Sequence, residues 1–376
     1  MIHEYKEIPC WITYIHPYTF IVPDGENPWT IPLKEINDVS YNHSNLLRVV
    51  TKLQTEENQL DSLICYDGTI GLAQHGKFQE KNHAINYFNK ILLALNLIGF
   101  SVEYVDHRDV LSGAFEDGWK ISNSEMGGSA LSHLHSKNRW RVGSNMDSIY
   151  LDNPRILTVN EFKGLLKLGL NVLESIPNLS PKFLNIGLTE IKYGNWDLVL
   201  SNLWISSEQL VDFLWHSKFL INIDKDSNSP ISGRKQSLRD DNRTWSSSVK
   251  LELLFQTGLI DKNTFENLFN ARKVRNKLVH EGKSANKEIA IGLLSAIINL
   301  LKTLVGPDVI KLIVPIFRNS LSVNKSMILN SELFDGWRNI PDNEIIEKVL
   351  GYQTTENARK LFMEKNKNIN NSKIED

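Results

Sequence analysis

The apolar residues of this chain change their period partway along, and that change limits the possible folds more than any other feature. Up to residue 155 they fall in short runs rich in β-branched and aromatic side chains, separated by turn residues. From Thr158 to Leu304 they recur every three or four positions, as in amphipathic helices. This pattern predicts an α+β N-terminal domain over residues 1–155, then an all-α helical bundle over 156–305. A C-terminal helical extension over 306–363 and a polar, disordered tail over 364–376 complete the expected layout.

Within the first region, Pro9–Ile15 and Tyr18–Val22 read as strands. Leu63–Tyr66 and Thr69–Ala73 read as a hairpin around Asp67-Gly68 with a primed turn. Lys81–Ile98 carries an apolar stripe (Ala84, Tyr87, Phe88, Ile91, Leu92, Leu95) and predicts a helix, followed by a strand over Phe100–Val105. Ser122–Ser148, rich in Gly, Ser and Asn, predicts long loops that would carry His133 and His135 without acidic partners at metal-ligand spacing. His107-Arg108-Asp109 reads as a surface loop, or alternatively as a small binding edge. In the second region Thr158 and Glu161 form a capping-box pattern ahead of an apolar stripe over Phe162–Ile176. Further helices are predicted over Pro181–Lys192, Leu198–Phe219, Ser248–Gln256, Thr264–Glu281 and Lys287–Leu304, and Ser227–Trp245 reads as a long polar loop.

Hydrophobic residues make up 41% of the chain, enough to build real cores. Two cysteines, Cys10 and Cys65, cannot form a disulfide framework or a zinc site by themselves, which points to a reducing, cytoplasmic setting. Met1–Pro9 lacks the apolar run of a secretion signal, and no uninterrupted run of about 18 apolar residues suggests a membrane span. A net charge of −2 makes no global argument for nucleic acid. Between Arg234 and Lys287, however, twelve basic residues face six acidic ones, a local excess suited to attracting a polyanion.

That excess surrounds the most informative segment, the helix predicted to start at Asp261 or Asn263 and end at Gly282. At 100° per residue, Phe265, Leu268, Phe269, Ala271, Leu278 and Val279 share a broad apolar face. Arg275 projects from the middle of it, and Asn276 and His280, four apart, share its margin. A guanidinium there is costly unless it is paired or opens onto a cleft or subunit interface. An arginine fork can hold phosphoryl oxygens, and an imidazole titrating near neutrality can move a proton. No metal is needed for either task.

Arg275-Asn276-Lys277-Leu278-Val279-His280 resembles the Arg-polar-x3-His signature of HEPN domains, helical modules of many toxin, anti-phage and RNA-processing ribonucleases. Trp204–Trp215 resembles the family's early helix, and Val249–Leu259 the helix leading to the signature. The likeness covers residues 157–305 and is closest to the abortive-infection branch. It implies a metal-independent endoribonuclease acting in anti-phage defence or a toxin-like role, without cofactor. Ribose 2′-OH would attack the adjacent phosphorus and leave a 2′,3′-cyclic phosphate and a 5′-OH. His280 would move the proton, Arg275 would stabilise the phosphoryl oxygens, and Asn276 would orient either group. Glu208 would support Arg275 by pairing with it. Arg272, Lys273, Lys277, Arg239 and Arg243 are candidate RNA contacts. The resemblance also implies a homodimer joined through the signature helices, while residues 1–155 would sense an unknown trigger. The alternative is a non-catalytic HEPN module that binds RNA or a nucleotide, or acts as a scaffold.

Overall fold

The computed structural model describes residues 7–26, 45–55, 61–116, 119–139, 155–222, 241 and 243–307. All of them lie in one compact unit, Met1–Phe317; a second, Arg318–Asp376, lies outside the described residues. The expected C-terminal extension beyond Pro307 and the expected disordered tail therefore also lie outside them.

The first half is built on a six-stranded antiparallel sheet in the order β3-β4-β5-β1-β6-β7. Its strands are β1 (Ile8–Tyr14), β3 (Val49–Leu53), β4 (Ser62–Cys65), β5 (Thr69–Ala73), β6 (Leu111–Glu116) and β7 (Lys120–Asn123). The sheet curls until its edges meet: Val49 N–H donates to the Trp119 carbonyl at 2.6 Å and Ile121 N–H to the Leu47 carbonyl at 3.0 Å. Joining the edges satisfies backbone groups that an open sheet leaves unpaired. Inside the curl pack Cys10, Ile12, Tyr14, Cys65, Leu111, Phe115 and Ile121. The predicted β4–β5 hairpin is present, but with Ile64 opposite Ile70 its turn holds an extra residue. Gly68 closes it at φ +77°, in place of a two-residue primed turn.

Helix α1 (Lys81–Leu97) forms as its stripe predicts, burying Ala84, Phe88, Ile91, Leu92 and Leu95. The segment after it is not the expected strand. Its backbone groups are taken by side chains of α1 and by other partners. Asn96 accepts from Val102 N–H at 2.8 Å and donates to the Val102 carbonyl at 2.9 Å. Asn89 does the same for Val105, at 3.2 and 2.7 Å. Glu103 N–H donates to the His16 carbonyl. With those groups occupied, no ladder can form. The loops expected over Ser122–Ser148 are also corrected, because β7 begins at Lys120 and α2 spans Ala130–Arg139. Helix α2 buries Ser132, His135, Ser136, Asn138 and Arg139, a polar inner face that no apolar period could reveal.

The second half is helical, so the chain is a mixed α+β protein. After β8 (Arg155–Thr158) come α3 (Val159–Glu174), α4 (Pro181–Tyr193), α5 (Trp196–Leu214, continued by a π-helical turn over Trp215–Phe219), α6 (Ser247–Gln256), α7 (Lys262–Glu281) and α8 (Lys287–Val305). The Thr158–Glu161 capping box is fully formed. Helix α5 lies centrally, against α4, α6, α7 and α8. By length and composition alone α8 is apolar enough to cross a bilayer, although Ser295 and Asn299 interrupt its apolar run. In this structure it packs on α5 and α7, burying Leu293, Leu294, Ile297, Leu300 and Leu301.

Contacts across residue 155 are extensive. Strand β2 (Thr19–Val22) pairs in parallel with β8, and α1 packs on α3 and α4. Gly169 of α3 comes so close that an added Cβ would lie 2.0 Å from the Ala94 carbonyl oxygen. A polar bridge runs through the same interface: Asn96 donates to Asn185 Oδ1 at 2.8 Å, and Asn185 donates to the Asn89 carbonyl at 2.9 Å. The expected boundary near residue 155 thus falls inside one packed unit.

Candidate functional site

Helix α7 starts and stops where its sequence dictates. Asp261 caps it, accepting from Thr264 N–H at 2.7 Å, and Gly282 ends it in the left-handed region at φ +65°. The loop that follows is tied down where Ala285 N–H donates to Asp197 Oδ1 at 2.5 Å. Only Thr264, Leu268 and Ala271 of α7 are buried. Phe265 and Leu278 are half-buried, while Phe269 and Val279 are 41% and 56% exposed. The apolar face foreseen for this helix is therefore wider than the surface that covers it.

The proposed chemical groups lie on that uncovered part. Arg275 is half-buried, and Asn276 and His280 are exposed. Arg275 Nη1 donates to Asn276 Oδ1 at 3.4 Å. That weak bond joins two of the three candidates. Residues 275 and 280 differ by about 140° around an α-helix, so one α7 does not aim the guanidinium and the imidazole at the same point. The expected pairing of Glu208 with Arg275 is not what the structure shows: Glu208 accepts from Ser247 Oγ at 3.2 Å. It joins α5 to α6.

The candidate RNA contacts divide. Lys277 is exposed, Arg272 is half-buried, and Lys273 lies 4.4 Å above the Phe269 ring. Arg243 is exposed in the turn before α6, where its N–H donates to Asp241 Oδ1. Arg239 lies outside the described residues. Some of the basic excess is neutralised. Lys250 is buried and donates to Asp212 at 2.6 Å, while Lys283 lies 2.6 Å from Glu281.

A second polar cluster went unforeseen, because it sits inside the β half. Asp67, on the β4–β5 turn, is fully buried with Arg139 and His135 of α2. Arg139 Nη1 donates to Asp67 Oδ2 at 2.6 Å and to Thr69 Oγ1 at 2.7 Å, and His135 Nε2 lies 3.1 Å from the same carboxylate. The His135 ring is sandwiched between Tyr14 and Tyr18, with each centroid 4.0 Å away. Burial pushes the Asp67 carboxyl up, but Arg139 and His135 outweigh it and hold it below the usual carboxylate range. For His135 burial wins over the carboxylate and lowers its pKa. His16 packs edge-on against His135 with centroids 5.6 Å apart, and burial, with help from His135 and Lys192, lowers it to about 3. The i, i+4 spacing of His135 and Arg139 would have revealed this cluster only to a reader who already knew α2 was a helix. Among the described residues no three His, Cys, Asp or Glu side chains are placed to hold a metal ion. The chain matches no protein-family model, no curated protein and no solved structure.

Proposed function

We propose that this protein is a metal-independent endoribonuclease whose cleavage site is assembled from the C-terminal turns of two α7 helices in a homodimer. The observation that supports this reading is the exposure of Asn276 and His280, and the partial exposure of Arg275, beside the partly exposed apolar side chains Phe269 and Val279. Sealed inside the helical layer, these groups would have been structural. On this surface they can meet a phosphodiester. Because Arg275 and His280 of one helix diverge, a second α7 packed against Phe269 and Val279 supplies the missing half of the constellation. The exposed Lys277 and the Phe269-backed Lys273 flank the same helix and can neutralise RNA phosphates.

In this mechanism one imidazole takes the ribose 2′-OH proton, the 2′-oxygen bonds to the adjacent phosphorus, and the P–O5′ bond breaks as an imidazolium returns a proton to the 5′-oxygen. The guanidinium meanwhile stabilises charge on the phosphoryl oxygens. Asn276, already bonded to Arg275, orients the fork. Glu208 has no direct part, since its carboxylate is engaged with Ser247. The test incubates purified protein with total RNA in EDTA beside His280→Ala and Arg275→Ala. Wild type is expected to cut, and each variant to lose at least about 100-fold in rate, as removal of a general base or an oxyanion partner typically costs. Cleavage that chelation abolishes, or that both variants retain, contradicts the reading.

A further inference from the structure

A cavity of about 230 Å3 opens between the segment after α1, the start of α2 and the end of α4. Its walls carry four carboxylates, Glu103, Asp106, Asp109 and Glu190, against a single cation, Arg108. That cation is already committed, since Arg108 Nη2 lies 2.6 Å from Asp106 Oδ2 and its Nε lies 3.0 Å from the same oxygen. Lys192 reaches Glu103 only at 4.0 Å. Arg155 also acts on Glu103, so the four carboxylates outnumber the three cations near them, Arg108, Lys192 and Arg155, by one. Burial raises the Asp109 carboxyl, as expected for an acid held from water and short of positive charge.

The second observation is independent of those acids. His16 lines the same cavity and is only 6% exposed, yet its Nε2 has no hydrogen-bond partner. A buried polar atom left unpaired is costly and calls for a role. Burial keeps the ring neutral at ordinary pH, so in its Nδ1–H tautomer Nε2 can accept an N–H, which a charged ring could not. Two tyrosines, Tyr104 and Tyr193, add aromatic surface. Tyr193 is held by its hydroxyl, which donates to Glu103 Oε2 at 2.8 Å.

We propose that this cavity binds a small organic cation of the guanidinium or primary-ammonium class. The N–H donors of such a cation match the carboxylates and His16 Nε2, and its carbon chain matches the tyrosine walls. A metal ion fits less well, because no three ligating side chains converge among the described residues. The cavity takes walls from both sides of residue 155, so its occupant clamps α4 to the β half. The inference does not depend on the nucleolytic reading of α7, and its test measures no cleavage.

The test is calorimetric titration of the full chain with agmatine, beside butylamine, the neutral butanol, and magnesium chloride. Agmatine is expected to bind saturably, butylamine more weakly, and butanol and magnesium not at all. The substitution Glu190→Gln removes one charge from a half-buried position near the end of α4 without changing shape, and Asp109→Asn removes the buried one. Each is expected to weaken agmatine about tenfold, with the far-UV spectrum unchanged for Glu190→Gln. Absence of saturable agmatine binding, equal binding of butanol, displacement by magnesium, or full affinity in Glu190→Gln would each overturn the proposal.

Discussion

At the scale of single residues, the largest local commitment is the buried Asp67–Arg139 pair, with both side chains fully shielded from water. Removing one partner of such a pair strands the other, which typically costs about 3–5 kcal/mol. Asp67→Ala is therefore expected to lower stability by that order in urea denaturation; a loss within about 1 kcal/mol would mean the pair is not truly buried. The histidines set the acid limit. The unfolded chain takes up a proton at His16 near its ordinary value of 6.5, whereas the folded chain refuses it until about 3. Its folded pKa is depressed, so stability is full above the ordinary value and falls as pH drops through that window. The slope is at most about 1.4 kcal/mol per pH unit for one group. His135 acts in the same direction, and Asp67 adds to the loss below the usual carboxylate range. Urea midpoints measured at about pH 7 and about pH 5 should differ, the acid one being lower; equal midpoints would contradict the burial of both rings.

At the scale of elements, helices with apolar stripes were legible and helices with polar inner faces were not. The boundaries of α1, α7 and α8 follow from periodicity and caps, and the capping box at Thr158 was readable as written. Helix α2 escaped because its buried positions are Ser132, His135, Ser136, Asn138 and Arg139. The residues after α1 look like a strand, but Asn89 and Asn96 occupy backbone groups a neighbouring strand would need. Propensity reports backbone preference; it cannot report which distant side chain takes the hydrogen bonds. The ends of α7 give a direct check. Asp261→Ala should cost about 1 kcal/mol through loss of the cap. Gly282→Ala should also cost about 1 kcal/mol, from left-handed backbone alone, since a Cβ there meets nothing within 4 Å. A thermal shift for neither variant would show that α7 does not end as described.

At the scale of the whole molecule, the two halves foreseen from the sequence are distinct in secondary structure yet share one packed interior. The parallel β2–β8 pair and the Asn89–Asn96–Asn185 bridge tie them together. Neither was visible in the chain, because both join residues far apart in sequence. The Arg275–His280 spacing was visible, and so was its place on a capped helix; what the sequence could not say was that Phe269 and Val279 of the apolar face would stay exposed while Leu268 and Ala271 were covered. On the proposed reading a second copy would pack against this exposed part of α7, and the proposed cleavage chemistry can be tested from its products. The most direct measurement is end-group analysis of RNA cut in EDTA by the wild-type chain and by His280→Ala. The account predicts 2′,3′-cyclic phosphate and 5′-OH ends from the wild type and none above background from the variant. Ends bearing 5′-phosphate, or identical cyclic-phosphate yields from both proteins, would contradict it.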